Sequence, residues 1–132
     1  MTELILRATS GGGNLCSGGL AFADSIFASS YAAANAFDGL TSDGNGSAPY
    51  PWASANTALP HFIGYRLAAP VQVMEIAIYP RINVNAYQTP KDFVIQSSDD
   101  STTGLDGTWT DEWTVTGQTS WTYNVARVFT RP

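Results

Sequence analysis

His61 is the sole histidine of the chain and Cys16 the sole cysteine, so together they are the one pair that could make a thiolate nucleophile and its base. Nothing near either residue orients it. His61 lies in Pro60-His61-Phe62-Ile63, which reads as the start of a strand, and Cys16 lies between glycine-rich turns. A thiol without a positioned base behaves as a small, partly buried side chain. Paired carboxylates occur at Asp99-Asp100 and Asp111-Glu112. Adjacent residues on a strand point to opposite faces, so neither pair makes a good acid–base couple. A solvated turn and an outer strand face explain them better. The chain is therefore expected to bind rather than catalyse.

Charge narrows what it could bind. Six basic residues stand against eleven acidic ones, a net charge of −5, and Lys91 is the only lysine. The arginines are scattered, so no basic stripe is available to neutralise phosphates, and nucleic acid is not an expected partner. No apolar run reaches the roughly 18 residues that a membrane span needs. The segment Met1–Arg7 carries a glutamate and lacks the basic and apolar regions of a signal peptide. A single cysteine allows no internal disulfide.

The elements that would position a site are strands. The length of 132 residues fits a single domain spanning 1–132, with enough chain to bury a core unaided. Only 13% of residues are charged and 12% are aromatic, and twelve glycines and seven prolines punctuate the chain. That balance predicts an all-β domain. Thr2–Ala8 alternates weakly as a strand, and Ser10–Gly19 reads as a loop or irregular edge. Ser29–Asp38 makes at most one helical turn, closed by Gly39. His61–Leu67, Val71–Tyr79, Asp92–Ser98, Trp109–Val115 and Ser120–Thr130 follow as strands. In Val71–Tyr79, Met74, Ile76 and Ile78 share one face, and the other face is partly apolar too, which predicts a central strand covered on both sides. Trp109, Trp113 and Val115 are expected on one face of their strand. Two long loops remain, Leu40–Pro51 and Arg81–Pro90, and loops of that length are uncommon in compact domains unless they bind something.

Several ordered blocks carry a resemblance. They are Ala28-Ser29-Ser30-Tyr31, Ala34-Asn35-Ala36-Phe37-Asp38-Gly39, Trp52-Ala53-Ser54, Pro60–Leu67, Ile78-Tyr79-Pro80-Arg81 and Pro90–Asp100, followed by Trp109. Their order and spacing resemble the discoidin, or coagulation-factor type C, domain of the galactose-binding-like superfamily, over about Leu15 to Trp113. The resemblance implies an antiparallel jelly-roll β-sandwich. The Ser97-Ser98-Asp99-Asp100 hairpin and the Trp- and Thr-rich tail resemble discoidin-like domains of bacteriophage virion proteins. The end of the chain departs from the pattern, since relatives generally carry a further strand. Either Ala126–Arg131 is that strand, or the usual last strand is missing and Thr2–Ala8 or a neighbouring subunit covers the edge.

The resemblance also implies a site. Related carbohydrate-binding domains place ligand groups on loops at one end of the sandwich, using aromatic plates for the pyranose face and planar polar groups for its hydroxyls. The matching loops here offer Tyr50, Trp52, Arg81, Asn83, Asn85, Tyr87 and Gln88, with His61 nearby. Relatives often hold a structural Ca²⁺ beside the block matching Asn35–Gly39, which makes Asp38 and Asp43 candidate ligands. The acidic residue that relatives supply from the final strand has no clear match. Clotting-factor relatives insert apolar loops into anionic lipid, but polar loops and a net charge of −5 disfavour membrane insertion here. The expected function is recognition of a cell-surface glycan by a virion-associated protein, as a homo-oligomer or with other virion proteins. The alternatives are a purely structural decoration or assembly protein, and an extracellular rather than virion location.

Overall fold

The structure is a computed structural model, and it describes residues 1–82 and 88–132. Among the described residues seven strands run in the order β1 (Glu3–Arg7), β2 (Leu20–Ala23), β3 (Ile63–Arg66), β4 (Glu75–Tyr79), β5 (Phe93–Ser97), β6 (Thr110–Val115) and β7 (Arg127–Thr130). Two short 3-10 turns, Ser29–Tyr31 and Ala33–Ala36, are the helical segments among the described residues. All pairings are antiparallel. The sheet β1-β4-β7 is accompanied by the pairs β2-β3 and β5-β6. This is the all-β antiparallel class that the composition and resemblance imply.

β4 is the central strand because both of its faces are apolar or paired. Ile76 and Ile78 join Leu4, Trp113 and Trp121 in the buried core, and Phe93, Ile95, Val115 and Phe129 pack around them. On its other face Glu75 is buried, but Arg7 Nη1 (2.6 Å), the Ser10 hydroxyl (2.8 Å) and the Gly11 N–H (3.1 Å) all donate to its carboxylate. Those donors hold the Glu75 carboxyl below its ordinary range, which is how a charge is tolerated in a sheet interior.

Several boundaries differ from the sequence expectation. Val71–Met74 precedes the strand rather than opening it. His61 and Phe62, expected to open the strand His61–Leu67, lie before β3, and Phe62 is exposed. β2 was not expected at all; its four residues, Leu-Ala-Phe-Ala, are too few to show a period. In β6 the register shifts, so that Ile95 faces Trp113 while Gln96 faces Asp111. The extra residue reverses the alternation. Trp113 and Val115 therefore reach the core, and Trp109 pairs with Phe22 outside it.

The C-terminal segment does form a strand. β7 pairs with β4, with Ala77 opposite Val128. β1 pairs with the other side of β4, with Ile5 opposite Ala77, instead of covering β7. Only Arg127–Thr130 is strand; Ser120 and Asn124 have positive φ, which breaks the extended run that alternation suggested.

Candidate functional site

Three separated segments meet at one end of the molecule. The first follows β2, where the Phe27 N–H donates to Ala53 O (2.8 Å) and the 3-10 turn Ser29–Tyr31 turns the chain over. The second is the loop ending in Tyr50-Pro51-Trp52. The third begins at Arg81, directly after β4. The Tyr31 ring stands edge-on to Phe27 at 5.6 Å and to Tyr50 at 5.2 Å. The Arg81 guanidinium lies 5.6 Å from the Tyr31 centroid, within cation–π range. Phe27 is 61% exposed, an unusual state for a phenylalanine already packed edge-on against a tyrosine.

Asp43 ties the two long loops together. Its carboxylate accepts the Ile82 N–H (2.9 Å) and the Asn45 N–H (2.9 Å), and the Thr2 hydroxyl, which donates at 2.8 Å to Pro80 O, lies 3.2 Å from it. Arg81 is thereby fixed against Tyr31 by its neighbour's backbone. The Arg81 Nε is buried and has no hydrogen-bond partner among the described residues.

Trp52 lies beneath this surface rather than on it. It is 9% exposed, and its indole N–H donates to Ser25 O (3.2 Å). His61 is on the far side of Ser25, where its Nδ1 meets Asp24 Oδ2 at 2.7 Å. Ser25 Oγ is 3.2 Å from the same nitrogen and accepts the Ala55 N–H. Asp24 and Ser25 both crowd Nδ1, so the three groups cannot relay a proton from a serine to a carboxylate through the two ring nitrogens. The trio clamps the loop beneath the aromatic surface instead. The hydrogen bond to Asp24 raises the His61 pKa, against the effect of burial. Burial would raise Asp24, but the bonds from His61 and the Phe62 N–H outweigh it and hold its pKa low.

Of the residues expected to bind ligand, the structure brings Arg81 and Tyr50 together and places Trp52 and His61 in support. Asn83, Asn85 and Tyr87 lie outside the described residues. Sequence reasoning missed Phe27 and Tyr31. Their spacing of four was the available signal, and the Ala28–Tyr31 block entered only as part of the family resemblance.

The expected cation ligands are held differently from one another. Asp43 has its oxygens on the donors just described. Asp38 Oδ1 accepts the Leu40 N–H (2.9 Å) and caps its own turn. Glu3 of β1 faces the same turn, accepting the Gly39 N–H at Oε2 (3.2 Å). Glu3 is 1% exposed, and its Oε1 is buried without a hydrogen-bond partner among the described residues. Burial pushes its carboxyl up to about 7, with the Gly39 N–H opposing and the Asp38 charge adding to the rise. Among the described residues no group of three or more histidine, cysteine or carboxylate side chains gathers.

A concavity of about 330 Å³ lies at the end of the β5–β6 hairpin and is lined by Ser97, Ser98, Asp99, Asp100, Thr108 and Thr110. It offers neither an aromatic plate nor an arginine. Among the described residues no helix is long and apolar enough to cross a membrane.

The family model for the F5/8 type C domain matches residues 21–131, which extends the resemblance through β7. No curated protein and no solved structure matches the chain. Domains of this kind are commonly modules that bind carbohydrate or other ligands, are generally non-catalytic, and are typically extracellular or secreted. The chain belongs to the F5/8 type C, or discoidin, domain family.

Proposed function

We propose that the domain recognises cell-surface carbohydrate through the end that carries Phe27, Tyr31, Tyr50 and Arg81. The observation that supports this is the exposed Phe27 ring beside the Tyr31–Arg81 pair. An exposed ring gives the apolar face of a pyranose a plate, and a guanidinium gives its hydroxyls a fork. Asn83, Asn85 and Tyr87 follow Arg81 in the sequence and are proposed as further hydroxyl partners. The test is a glycan panel read with the purified chain and with Phe27→Ala. Saturable binding that the variant loses supports the reading; a folded chain that binds no glycan contradicts it.

On the resemblance to phage virion domains, we place the module on a virion surface, alongside further copies of itself or other virion proteins. Co-sedimentation with purified particles tests that setting. Its absence from particles would favour an extracellular module.

A divalent cation beside the Asp38-Gly39 turn is a second proposal, and Glu3 supports it. A buried carboxylate oxygen without a donor is costly unless protonated or matched by a cation. Glu3 would supply, from β1, the carboxylate that relatives take from the final strand. Glu3 and Asp38 would hold Ca²⁺, with backbone carbonyls completing an oxygen shell. The ion's contribution would be to neutralise Glu3 and fasten β1 to the turn. Thermal unfolding near neutral pH, with calcium and with chelator, decides it. A midpoint that calcium raises in the parent but not in Glu3→Gln supports the site; an insensitive parent removes it.

A further inference from the structure

Resting on the carbohydrate reading, we propose that the Arg81 site takes a saccharide bearing a carboxylate, a uronic or sialic acid, in preference to a neutral sugar. The argument begins with what the other arginines do. Arg7 pairs with Glu75, and Arg131 with Glu112. Arg66 donates to Thr102 O, and Arg127 donates to Gln118, Thr119 O and Ser120 O while covering the Trp121 ring. Each guanidinium has an acceptor except that of Arg81, whose contact among the described residues is the Tyr31 ring.

Among the described residues no carboxylate accepts from its guanidinium. Asp43, beside it through Ile82, has its carboxylate on two backbone N–H donors. The segment that follows, Asn83-Val84-Asn85-Ala86-Tyr87, contains no acidic residue. Asp24, beneath the site, is paired with His61. The buried Nε is closed to a ligand, but neither terminal nitrogen of the fixed guanidinium has an acceptor among the described residues, and that pair is a receptor for a planar, two-oxygen acceptor. A ligand carboxylate matches that fork with two parallel bonds, whereas a sugar hydroxyl offers one oxygen. Phe27 and Tyr31 would meanwhile meet the ring face, so one residue class reads the pyranose and the other its charge.

The charge of the whole chain works against an anionic ligand at long range, since −5 repels it. That repulsion is screened beyond roughly 8–10 Å at ordinary ionic strength, while a contact ion pair is not. The selectivity should therefore appear in the bound complex rather than in the approach.

Matched sugars test this: galacturonate against galactose, and N-acetylneuraminate against N-acetylgalactosamine, titrated into the parent chain by calorimetry or ligand-observed NMR. The acidic member of at least one pair should bind about tenfold tighter, the margin expected of a charge-assisted bond over a neutral one. Arg81→Gln should erase that margin while keeping residual binding to the neutral sugar. Arg81→Lys, which keeps the charge but loses the fork, should retain only part of it. Equal or tighter binding of the neutral members overturns the inference and leaves the carbohydrate reading standing. A folded chain that binds neither member of either pair nor any panel glycan overturns both.

Discussion

Arg81 and His61 are both polar residues set in loops, and their surroundings give them opposite roles. His61 is spent on Asp24 and Ser25, and it supports Trp52 from below. Arg81 has its nearest neighbours spent and so remains available. The consequence is separable in mutants. Phe27→Ala should abolish glycan binding while changing stability by no more than about 0.5 kcal/mol, as expected where an exposed side chain is removed. Trp52→Phe should cost about 1 kcal/mol through the lost bond to Ser25 O and the smaller ring, with affinity reduced far less than in Phe27→Ala. Chemical denaturation beside a binding titration reads both.

The His61–Asp24 pair also carries a pH signature. A histidine whose pKa is raised on folding adds stability that is complete below its unfolded value and is lost as pH rises through the folded one. Asp24, held low, adds stability above its unfolded value that is lost as pH falls. Glu3, raised to about 7, loses stability with rising pH in the same sense as His61. The Met1 amine, driven down to about 5 by burial and by the Arg81 charge, works in the opposite sense. The net slope therefore mixes several groups, and the difference between parent and Asp24→Asn isolates the pair. Asp24→Asn should destabilise more at about pH 6 than at about pH 8, where His61 is losing its proton anyway. An equal cost at both would mean the contact is not charge-assisted.

At the scale of elements, the legible strands were those with a clean period of two and two covered faces. Glu75–Tyr79 is of this kind, and Phe93–Ser97 keeps the period with Phe93 and Ile95 turned to the core and Val94 exposed. The errors arose where local geometry interrupts the period. The register shift in β6 reversed one face, and the positive φ of Ser120 and Asn124 turned an alternating stretch into an irregular one. Arg127 then holds that stretch by donating to its carbonyls, a long-range contact that alternation does not encode. The loop joining β5 to β6 shows how little slack such segments have. Gly104 has φ of +83°, and a Cβ there would come 2.1 Å from the Phe22 ring. Gly104→Ala should therefore destabilise by roughly 2 kcal/mol or more, through backbone strain and the displaced Phe22–Trp109 pair together. A midpoint unchanged from the parent would show that Phe22 can move aside freely.

Across the whole molecule, the fold was more legible than the site. Ordered blocks such as Asn35–Gly39 and Pro90–Asp100 depend on local turn and strand chemistry, and they survive in a single sequence. The Phe27–Tyr31–Arg81 surface depends on segments some fifty residues apart being brought together by the Asp43 carboxylate and the Ile82 N–H. No period or spacing records that convergence. The most direct test of the central claim is to map where ligand binds, by following backbone amide NMR shifts as glycans from the panel are titrated in. Saturable shifts clustered at Phe27, Tyr31, Tyr50 and Ile82 are the predicted result. Shifts confined to the Ser97–Thr110 groove, or none from any glycan at saturating concentration, would contradict it.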